Sequence, residues 1–298
     1  MTNYIFPSEK SKRALNRLKA SGVEHPLHKK GFLVDVDGVI CRGKQLIEGA
    51  DEVIQVLRDA GKGVVFVSNN STKSPSLYQE KLRNLGIEVR KDKLVLATVA
   101  TADFICSRTP EARVFVVGDS GLVETMEEYD LATTDVPGKA DYVVVGNPFR
   151  RDGKLREGND GKIAGAVKAI LENGAKFIAV NQDTIFPTEQ GPVPATGAVV
   201  KAIEHATGGS PDLVAGKPRG HITSMGLDKL GYKSTECALI GDSKVDMHAA
   251  NKAEIQSVFV RSGGTKEKEL TEDGIYPDFT LDSIKNLMGV SFPNRLEG

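Results

Sequence analysis

The sequence of 298 residues contains no tryptophan, only three cysteines and no long apolar run. Cys41, Cys106 and Cys237 are odd in number, widely spaced and without a CxxC pair, which argues against a disulfide framework or a thiolate zinc site. No stretch approaches the roughly 18–20 apolar residues of a membrane span. The first residues lack the apolar core of a secretory signal. We therefore expect a cytoplasmic protein with reduced thiols.

Neither sign of charge is in excess, because 39 basic and 40 acidic residues leave a formal net charge of -1. This balance gives no overall electrostatic attraction to nucleic acid or to membrane surfaces, and we expect neither as a partner. Hydrophobic residues make up 40% and charged residues 27% of the chain, which is ordinary for a globular protein. A chain of this length can bury one large core or two medium ones.

Residues 1–29 form a polar leader, in which the apolar spacing predicts a helix over about residues 8–20. The basic, amphipathic composition of this helix suits a solvated surface helix, and an organelle presequence is the alternative. His25 and His28 have a spacing seen in metal sites, but they lack a supporting set of acidic or cysteine ligands. We therefore interpret both as surface histidines.

The stretch GFLVDVDGVI, residues 31–40, places two carboxylates after a short apolar run. The run is too short for a helix and predicts a buried parallel strand. Residues two apart on a strand point the same way, so Asp35 and Asp37 either share one face or diverge where the chain turns at Gly38. Buried acids need a cation or hydrogen bonds to offset their desolvation, although alone the pair also fits a polar turn.

Strand and helix patterns alternate along the rest of the chain, which is typical of a parallel sheet with right-handed crossovers. A middle block, residues 104–206, has its own series of alternating strands and helices. The last block resumes the pattern of the first block. We therefore predict a doubly wound, Rossmann-like α/β core domain from residues 30–103 and 207–298, into which 104–206 is inserted. The segment 183–197 is dense in proline and glycine and is interpreted as a shaped loop rather than a core element.

Polar residues follow the predicted strands, or lie in the adjoining loops, at four places in the chain. In an open parallel sheet, ligands bind outside the carboxyl ends of the strands, so these residues are expected to converge. Several carboxylates suit a hard divalent cation, while a lysine, a hydroxyl and backbone N–H groups suit a phosphoryl group. One carboxylate can attack phosphorus and a second can move the proton of the leaving group. The four places are Asp35 with Asp37, Ser68 with Asn69 and Asn70, Lys217, and Asp242 with Asp246.

These residues resemble the phosphatases of the haloacid dehalogenase (HAD) superfamily. DVDGV, the strand-terminal Ser68, GKP and GDSKVD match the four motifs of that superfamily in order. The inserted block and the sequences VSNNST, NQD and AGKP are similar to the NagD-type enzymes with a large α/β cap, which include p-nitrophenylphosphatases and phosphoglycolate phosphatases. The resemblance covers about residues 31–285. It implies a Mg²⁺-dependent phosphomonoesterase that acts on a small phosphorylated metabolite through an aspartyl-phosphate. The substrate would be p-nitrophenyl phosphate or an ester like phosphoglycolate or a sugar phosphate.

The resemblance implies a role for each matching residue. Asp35 would be the nucleophile and a metal ligand, and Asp37 would be the general acid/base and would give the metal its backbone carbonyl. Lys217 would neutralise charge on the nucleophile and the phosphate. Asp242 would complete the protein ligands of the metal, with Asp246 and Ser243 supporting the site from behind it. The residues that would bind the phosphate and the substrate are Gly38, Ser68, Asn69, Asn70, Asp183 and Phe186.

Two features depart from the pattern of the family. The acids of the last motif are four residues apart where five is frequent, which leaves the role of Asp246 open. In the turn PATG, alanine stands at a position where glycine is common. The segment VFVVGDSG, residues 114–121, looks like the last motif but lies in the inserted cap, and it is interpreted as an ordinary strand, turn and helix.

An acid at position 37 favours phosphate-ester cleavage over dehalogenation, because an alkoxide leaving group needs a proton. A phosphotransferase or phosphomutase with the same intermediate is the nearest alternative, but it would have to bind an acceptor other than water. A catalytically silent binding protein of the same fold is another alternative, and such a protein is expected to lack one of the catalytic residues. Caps of this type often pair, so a homodimer through the cap is also an expectation.

Overall fold

The computed structural model describes residues 25–188 and 191–288, whose contacts form two compact units. Within these residues, the first unit comprises residues 25–67, 81–94 and 223–288, and the second comprises residues 68–80, 95–188 and 191–222. The helix expected over residues 8–20 lies outside the described residues. The boundaries of core and cap stay predictions.

The elements alternate between strand and helix, as the sequence predicts. None of the described helices has the length and apolar character that a membrane span requires. The helices are α1 (Ala50–Asp59), α2 (Pro75–Arg83), α3 (Ala97–Cys106), α4 (Ser120–Glu128), α5 (Lys162–Asn173), α6 (Thr196–Thr207), α7 (Gly220–Leu230), α8 (Lys244–Lys252) and α9 (Glu267–Glu272). The strands are β1 (Gly31–Val34), β2 (Cys41–Arg42), β3 (Gln45–Leu46), β4 (Gly63–Ser68), β5 (Leu94–Leu96), β6 (Arg113–Val117), β7 (Ala132–Thr133), β8 (Tyr142–Val145), β9 (Lys176–Ala179), β10 (Ile185–Thr188), β11 (Gly191–Pro194), β12 (Leu213–Val214), β13 (Cys237–Gly241), β14 (Gln256–Val260) and β15 (Phe279–Leu281).

The first unit is organised around a sheet with the strand order β15-β14-β13-β1-β4-β5. Strand β1 pairs in parallel with β13 on one side and β4 on the other, so that Val34 lies opposite both Ile240 and Phe66. All four residues of β1 are buried, as a strand covered on both faces must be. Because the strand order reverses at β1, its carboxyl end is the place where such sheets bind ligands.

Helix α1 shows why these segments fold as they do. Val53, Ile54 and Leu57 recur at helical spacing and are buried. Each such side chain contributes roughly 1.5–3 kcal/mol when it leaves water. Acidic residues lie in the first turn and Arg58 in the last, which complements the helix dipole at both ends.

The second unit contains its own parallel sheet, with the strand order β12-β9-β8-β6-β7. Its core brings aromatic and β-branched residues of the strands against the small residues of α5, as shown by Phe115, Phe177 and Val143 packed with Ala166 and Ala169. The prediction of an α/β protein with parallel, doubly wound sheets is confirmed by these strand pairings.

The interpretation of residues 183–197 as a loop throughout was wrong. Strands β10 and β11 form an antiparallel hairpin in which Phe186 lies opposite Val193, and α6 begins at Thr196. Both strands of a two-stranded hairpin are edge strands, and an edge strand tolerates proline because it need not donate every backbone N–H. The prolines that suggested a loop are therefore compatible with this short sheet.

His25 is not a surface residue, contrary to the sequence interpretation. It is 4% exposed, its Nδ1 accepts a hydrogen bond from the backbone N–H of Leu27 at 3.2 Å, and its ring lies 5.8 Å from that of Phe279. Burial, and secondly the nearby His28, lower the pKa of His25 from 6.5 to about 4. His28 itself is exposed, as predicted.

Candidate active site

An acidic cluster forms in the first unit, at the carboxyl ends of β1 and β13. Asp35 follows β1 and is buried, with its backbone N–H donating to Ile240 O at 2.9 Å. Asp242 follows β13, and Asp246 lies in the first turn of α8. One carboxylate oxygen from each of these three residues lies within 4.8 Å of the others. The sequence placed all three at this edge of the sheet, and the structure brings them together.

Glycines make room for the Asp242 carboxylate. A Cβ atom added at Gly263 would lie 1.7 Å from Asp242 Oδ2, and one added at Gly38 would lie 2.4 Å from its Cγ. The backbone N–H of Gly264 donates to Asp242 Oδ2 at 3.0 Å. Gly38 also has a φ of +90°, a conformation that glycine adopts without strain. The backbone thus surrounds this carboxylate at distances that exclude a larger residue.

Asp246 is held by the start of its own helix. Ser243 is the N-cap of α8, and its Oγ and backbone N–H donate to Asp246 Oδ2 at 2.5 and 3.1 Å, while Asp246 N–H donates to Ser243 Oγ at 3.2 Å. This is a capping box, which fixes the first turn of a helix. A Cβ atom at Gly241 would lie 2.3 Å from Asp246 Cβ, so the carboxylate is also confined from the strand side.

The donor set of the acidic cluster fits a hard divalent cation. Three carboxylates within 4.8 Å of one another repel in a partly buried site, and a bound cation offsets that repulsion. Their ligand atoms are all oxygens, which Mg²⁺ and Ca²⁺ prefer. The acidic cluster can therefore hold a metal ion.

The side chain of Asp37 is directed to a different partner. Its Oδ1 lies 2.7 Å from Lys81 Nζ, and the buried Cys41 Sγ lies 3.9 Å from the same oxygen. Burial alone would lower the pKa of Lys81, but the Asp37 carboxylate outweighs this effect and raises it. Burial, and secondly Asp37, raise the pKa of the Cys41 thiol to about 11. The sequence pointed to Asp37 but not to Lys81.

In the second unit, Ser68 is fixed by buried hydrogen bonds. Its Oγ accepts from the Tyr78 hydroxyl at 3.0 Å and from the backbone N–H of Asn70 at 3.2 Å. The Asn70 side-chain oxygen accepts from the backbone N–H groups of Thr72 and Lys73, each at 3.0 Å. This oxygen is therefore occupied by hydrogen bonds within its own turn. Tyr78 is a residue to which the sequence motifs did not point.

Asn69 joins three other residues of the second unit. Its Nδ2 donates to Asp183 Oδ1 at 3.1 Å and to Lys217 O at 3.0 Å, and its Oδ1 accepts from Lys217 N–H at 2.7 Å. Asn181 Nδ2 donates to Asn69 O at 2.6 Å, and its Oδ1 accepts from Asp183 N–H at 3.1 Å. A Cβ atom at Gly216 would lie 2.7 Å from Asn69 Oδ1. The structure therefore brings Asn69, Asp183 and Lys217 together.

Phe186 lies apart from this network, in strand β10. Its ring is half-buried, and the guanidinium carbon of Arg151 lies 5.6 Å from the ring centroid. The hairpin that carries Phe186 also leaves Ile185 exposed. An apolar pair on an exposed hairpin is available to contact a ligand.

The segment 114–121 is a strand, turn and helix, as predicted. Strand β6 ends at Val117, and Asp119 is the N-cap of α4, accepting from Ser120 N–H at 2.8 Å. Asp119 also pairs with Arg156 at 3.1 Å. A Cβ atom at Gly121 would lie 2.5 Å from Thr72 O, so backbone of the second unit already fills the space beside this motif.

Family profiles and known proteins are similar to most of this chain. The profile described as haloacid dehalogenase-like hydrolase matches residues 32–132, and a second profile of HAD-like hydrolases matches residues 214–287. The acid sugar phosphatase of Staphylococcus saprophyticus is 31% identical over 260 residues, which cover 87% of this chain and 96% of that protein.

Two solved structures are similar over most of their length. The p-nitrophenyl phosphatase from Archaeoglobus fulgidus has a TM-score of 0.80 and 37% identity, covering 87% of this chain and 98% of that one. NagD from E. coli K-12 has a TM-score of 0.75 and 26% identity, covering 88% of this chain and 98% of that one. Their names describe phosphatases and NagD, the two kinds of protein that the motifs indicate.

Parallel sheets with an acidic cluster at the end of the central strand define the chain as a hydrolase of the haloacid dehalogenase type. The matches make this assignment specific: the chain belongs to the haloacid dehalogenase-like hydrolase family. It is a phosphatase of the NagD type, which confirms the predicted superfamily, enzyme class and fold.

Proposed function

We propose that this phosphatase is a Mg²⁺-dependent phosphomonoesterase that transfers the phosphoryl group of a small metabolite to Asp35 and then to water. The observation that carries the proposal is the acidic cluster, in which Asp35, at the end of the central strand, lies within 4.8 Å of Asp242 and Asp246. A carboxylate in that position suits a nucleophile, because a cation held by the same cluster would neutralise the charge of the incoming phosphate.

Mg²⁺ would be held by the carboxylates of Asp35 and Asp242 and by the backbone carbonyl of Asp37. When bound, it would neutralise the charge of the nucleophile and of the phosphoryl oxygens. Asp246 is fixed by Ser243 and would support Asp242 or contact the ion itself. The narrow space around Asp242, bounded by Gly38 and Gly263, favours one defined position for its carboxylate.

The reaction would proceed in two steps. In the first, an Asp35 oxygen bonds to phosphorus while the ester P–O bond breaks, and Asp37 donates its proton to the leaving oxygen. In the second, the Asp37 carboxylate takes a proton from water, whose oxygen attacks phosphorus, releasing phosphate and restoring Asp35. Lys217 would neutralise the charge of the phosphoryl group, and the Ser68 hydroxyl, the Asn70 side-chain N–H groups and the turn at Gly38 would bind it. Asn69, whose amide is occupied by Lys217 and Asp183, would line the site and hold Lys217 in place.

The leaving group would be a small organic alcohol. Support comes from the names of similar proteins, an acid sugar phosphatase and a p-nitrophenyl phosphatase. Asp183, bound to Asn69, and Phe186, on its hairpin, differ in polarity and would contact the polar and apolar parts of that alcohol. A sugar phosphate or a similarly compact ester is the substrate class that fits this pairing.

Phosphate release from p-nitrophenyl phosphate and from a panel of sugar phosphates tests the proposal. Activity should require Mg²⁺, stop on addition of a chelator and return when Mg²⁺ is restored. Asp35→Asn should lower kcat by about 10³-fold or more while the protein keeps its circular dichroism spectrum. An Asp35→Asn variant with wild-type, Mg²⁺-dependent phosphate release would refute the proposed nucleophile.

A further inference from the structure

We propose that Lys81 is a positioning residue for the phosphatase reaction, which holds the Asp37 carboxylate in the orientation from which it exchanges a proton with the leaving oxygen. The inference rests on the proposed function, because it takes Asp37 as the general acid/base. Lys81 lies outside the sequence motifs that point to the site, 44 residues from Asp37 along the chain.

The geometry makes Lys81 the fixed member of the pair. Lys81 Nζ donates to Asp37 Oδ1 at 2.7 Å. The Lys81 side chain is 16% exposed, whereas that of Asp37 is 51% exposed. A half-exposed carboxylate has several rotamers open to it, and the packed ammonium selects one of them. The Sγ atom of the buried Cys41 lies 3.9 Å from the same carboxylate oxygen, on a second side of it.

The opposite charges of Lys81 and Asp37 stabilise their pairing. Desolvation disfavours a charged lysine in this position, and the Asp37 carboxylate, 2.7 Å from the ammonium, offsets that cost. Arg83 provides a contrast at the end of the same helix, α2. Its side chain is 55% exposed and pairs with Glu88 at 3.5 Å, as an ordinary surface ion pair does.

The proton step explains why such a partner would matter. Asp37 gives its proton to the leaving oxygen as the ester P–O bond breaks, so the alcohol departs neutral and Asp37 remains as a carboxylate. The Lys81 ammonium, 2.7 Å from Asp37 Oδ1, is placed to stabilise that carboxylate and to hold it in one orientation. An alkyl ester depends on this proton, whereas p-nitrophenolate is stable enough to leave without it.

The test compares two substrates that differ in their need for a proton, p-nitrophenyl phosphate and glycerol phosphate. Lys81→Met should lower kcat/KM for glycerol phosphate by about tenfold or more, and for p-nitrophenyl phosphate by less than about threefold. The quantity kcat/KM reports only the steps up to departure of the leaving group, so a slower reaction with water does not obscure the comparison. Lys81→Arg should restore part of the loss, because it keeps the charge.

Matched variants separate a positioning role from a general effect. Arg83→Met removes a positive charge from the same helix and should leave both kcat/KM values unchanged. Lys81→Gln is a second neutral variant, to be used if Lys81→Met does not fold. Equal losses for both substrates in folded Lys81 variants, or no loss for either, would overturn the inference.

Asp37→Asn distinguishes this inference from the proposed function. If Asp37→Asn lowers kcat/KM selectively for glycerol phosphate but the Lys81 variants do not, the inference about Lys81 fails and the mechanism stands. If Asp37→Asn itself shows no such selectivity, Asp37 is not the acid, and the proposed function and the inference fail together. Selectivity in both sets of variants, with wild-type behaviour of Arg83→Met, supports the role of Lys81.

Discussion

The side-chain amide of Asn69 binds both polar groups of the Lys217 backbone, donating to its carbonyl oxygen at 3.0 Å and accepting from its N–H at 2.7 Å. Lys217 is only 3% exposed, so these backbone groups have little access to water. A buried donor or acceptor that loses its partner costs about 1–3 kcal/mol. Asn69 therefore fixes the position from which the Lys217 side chain extends.

Replacing Asn69 should impair both folding stability and activity. Asn69→Ala leaves the Lys217 N–H and carbonyl without this partner, and we expect the free energy of unfolding to fall by about 2 kcal/mol. The kcat/KM value for p-nitrophenyl phosphate should fall by about tenfold or more, because the lysine is no longer held in place. Urea unfolding and steady-state kinetics measure the two effects.

Asn173→Ala is the control for this variant, since Asn173 donates to Ala140 O in the same unit without contacting a proposed catalytic residue. It should leave kcat/KM near the wild-type value. Wild-type kinetics in Asn69→Ala would show that Lys217 does not need the amide, or does not act in the reaction.

A methyl group at position 263 should disturb the metal site. The added Cβ would lie 1.7 Å from Asp242 Oδ2, so the carboxylate must move. For Gly263→Ala we expect the apparent affinity for Mg²⁺ to fall by about 10–100-fold, as it does when the groups that orient a metal ligand are disturbed. Titration calorimetry with Mg²⁺, together with activity as a function of Mg²⁺ concentration, provides the measurement.

Gly264→Ala is the neighbouring control, because no atom lies within 4 Å of a Cβ added there. Its Mg²⁺ affinity should match the wild type. If Gly263→Ala and Gly264→Ala bind Mg²⁺ equally well, Asp242 is not a ligand in the proposed site.

Phe186 should influence which phosphate esters are accepted. Truncation in Phe186→Ala removes an apolar surface from the hairpin without touching the acidic cluster. We expect KM to rise several-fold for esters with an apolar leaving group, corresponding to about 1 kcal/mol or more of lost contact. The inhibition constant of inorganic phosphate, which has no leaving group, should change little. Val193→Ala, opposite Phe186 in the hairpin, serves as the comparison. Identical substrate ranking in both variants would assign Phe186 a structural role only.

His25 should make the folding stability depend on pH below neutrality. The folded-state pKa is about 4, against an ordinary value of 6.5, so the unfolded chain binds a proton between these values that the folded chain does not. Its contribution to stability is therefore fully present above pH 6.5 and is lost as the pH falls towards 4. Linkage gives about 2 kcal/mol lost by pH 5.

Urea unfolding at pH 7.5 and 5.0 checks this dependence. In His25→Gln the difference between the two free energies should shrink by about 2 kcal/mol relative to the wild type. His205→Gln changes an exposed histidine and should keep the wild-type difference. An unchanged difference in His25→Gln would mean that another group sets the pH dependence.

The acidic cluster could be predicted because its members follow strands that lie side by side. Asp35 and Asp242 each come directly after a run of apolar residues, and parallel pairing of β1 with β13 brings the ends of those runs together. Local pattern and sheet topology together decide such a site. The roles of individual residues came from the family resemblance rather than from spacing.

Lys81, Tyr78 and His25 could not be predicted in the same way. Lys81 and Tyr78 reach their partners from a helix, where the direction of a side chain depends on how the helix packs. His25 is buried by contact with Phe279, which is distant in sequence. The hairpin of β10 and β11 was missed because proline suggested a loop, although edge strands tolerate it.

The position of β1 between β4 and β13 has a consequence for synthesis of the chain. Strand β4 emerges from the ribosome soon after β1, but β13 belongs to the last third of the sequence. One edge of a wholly apolar strand therefore stays unpaired while most of the protein is made, including all of the second parallel sheet. An unpaired apolar edge is prone to association with other chains. A nascent chain that pauses before β13 is thus the species most exposed to aggregation, and the one a chaperone would be expected to protect.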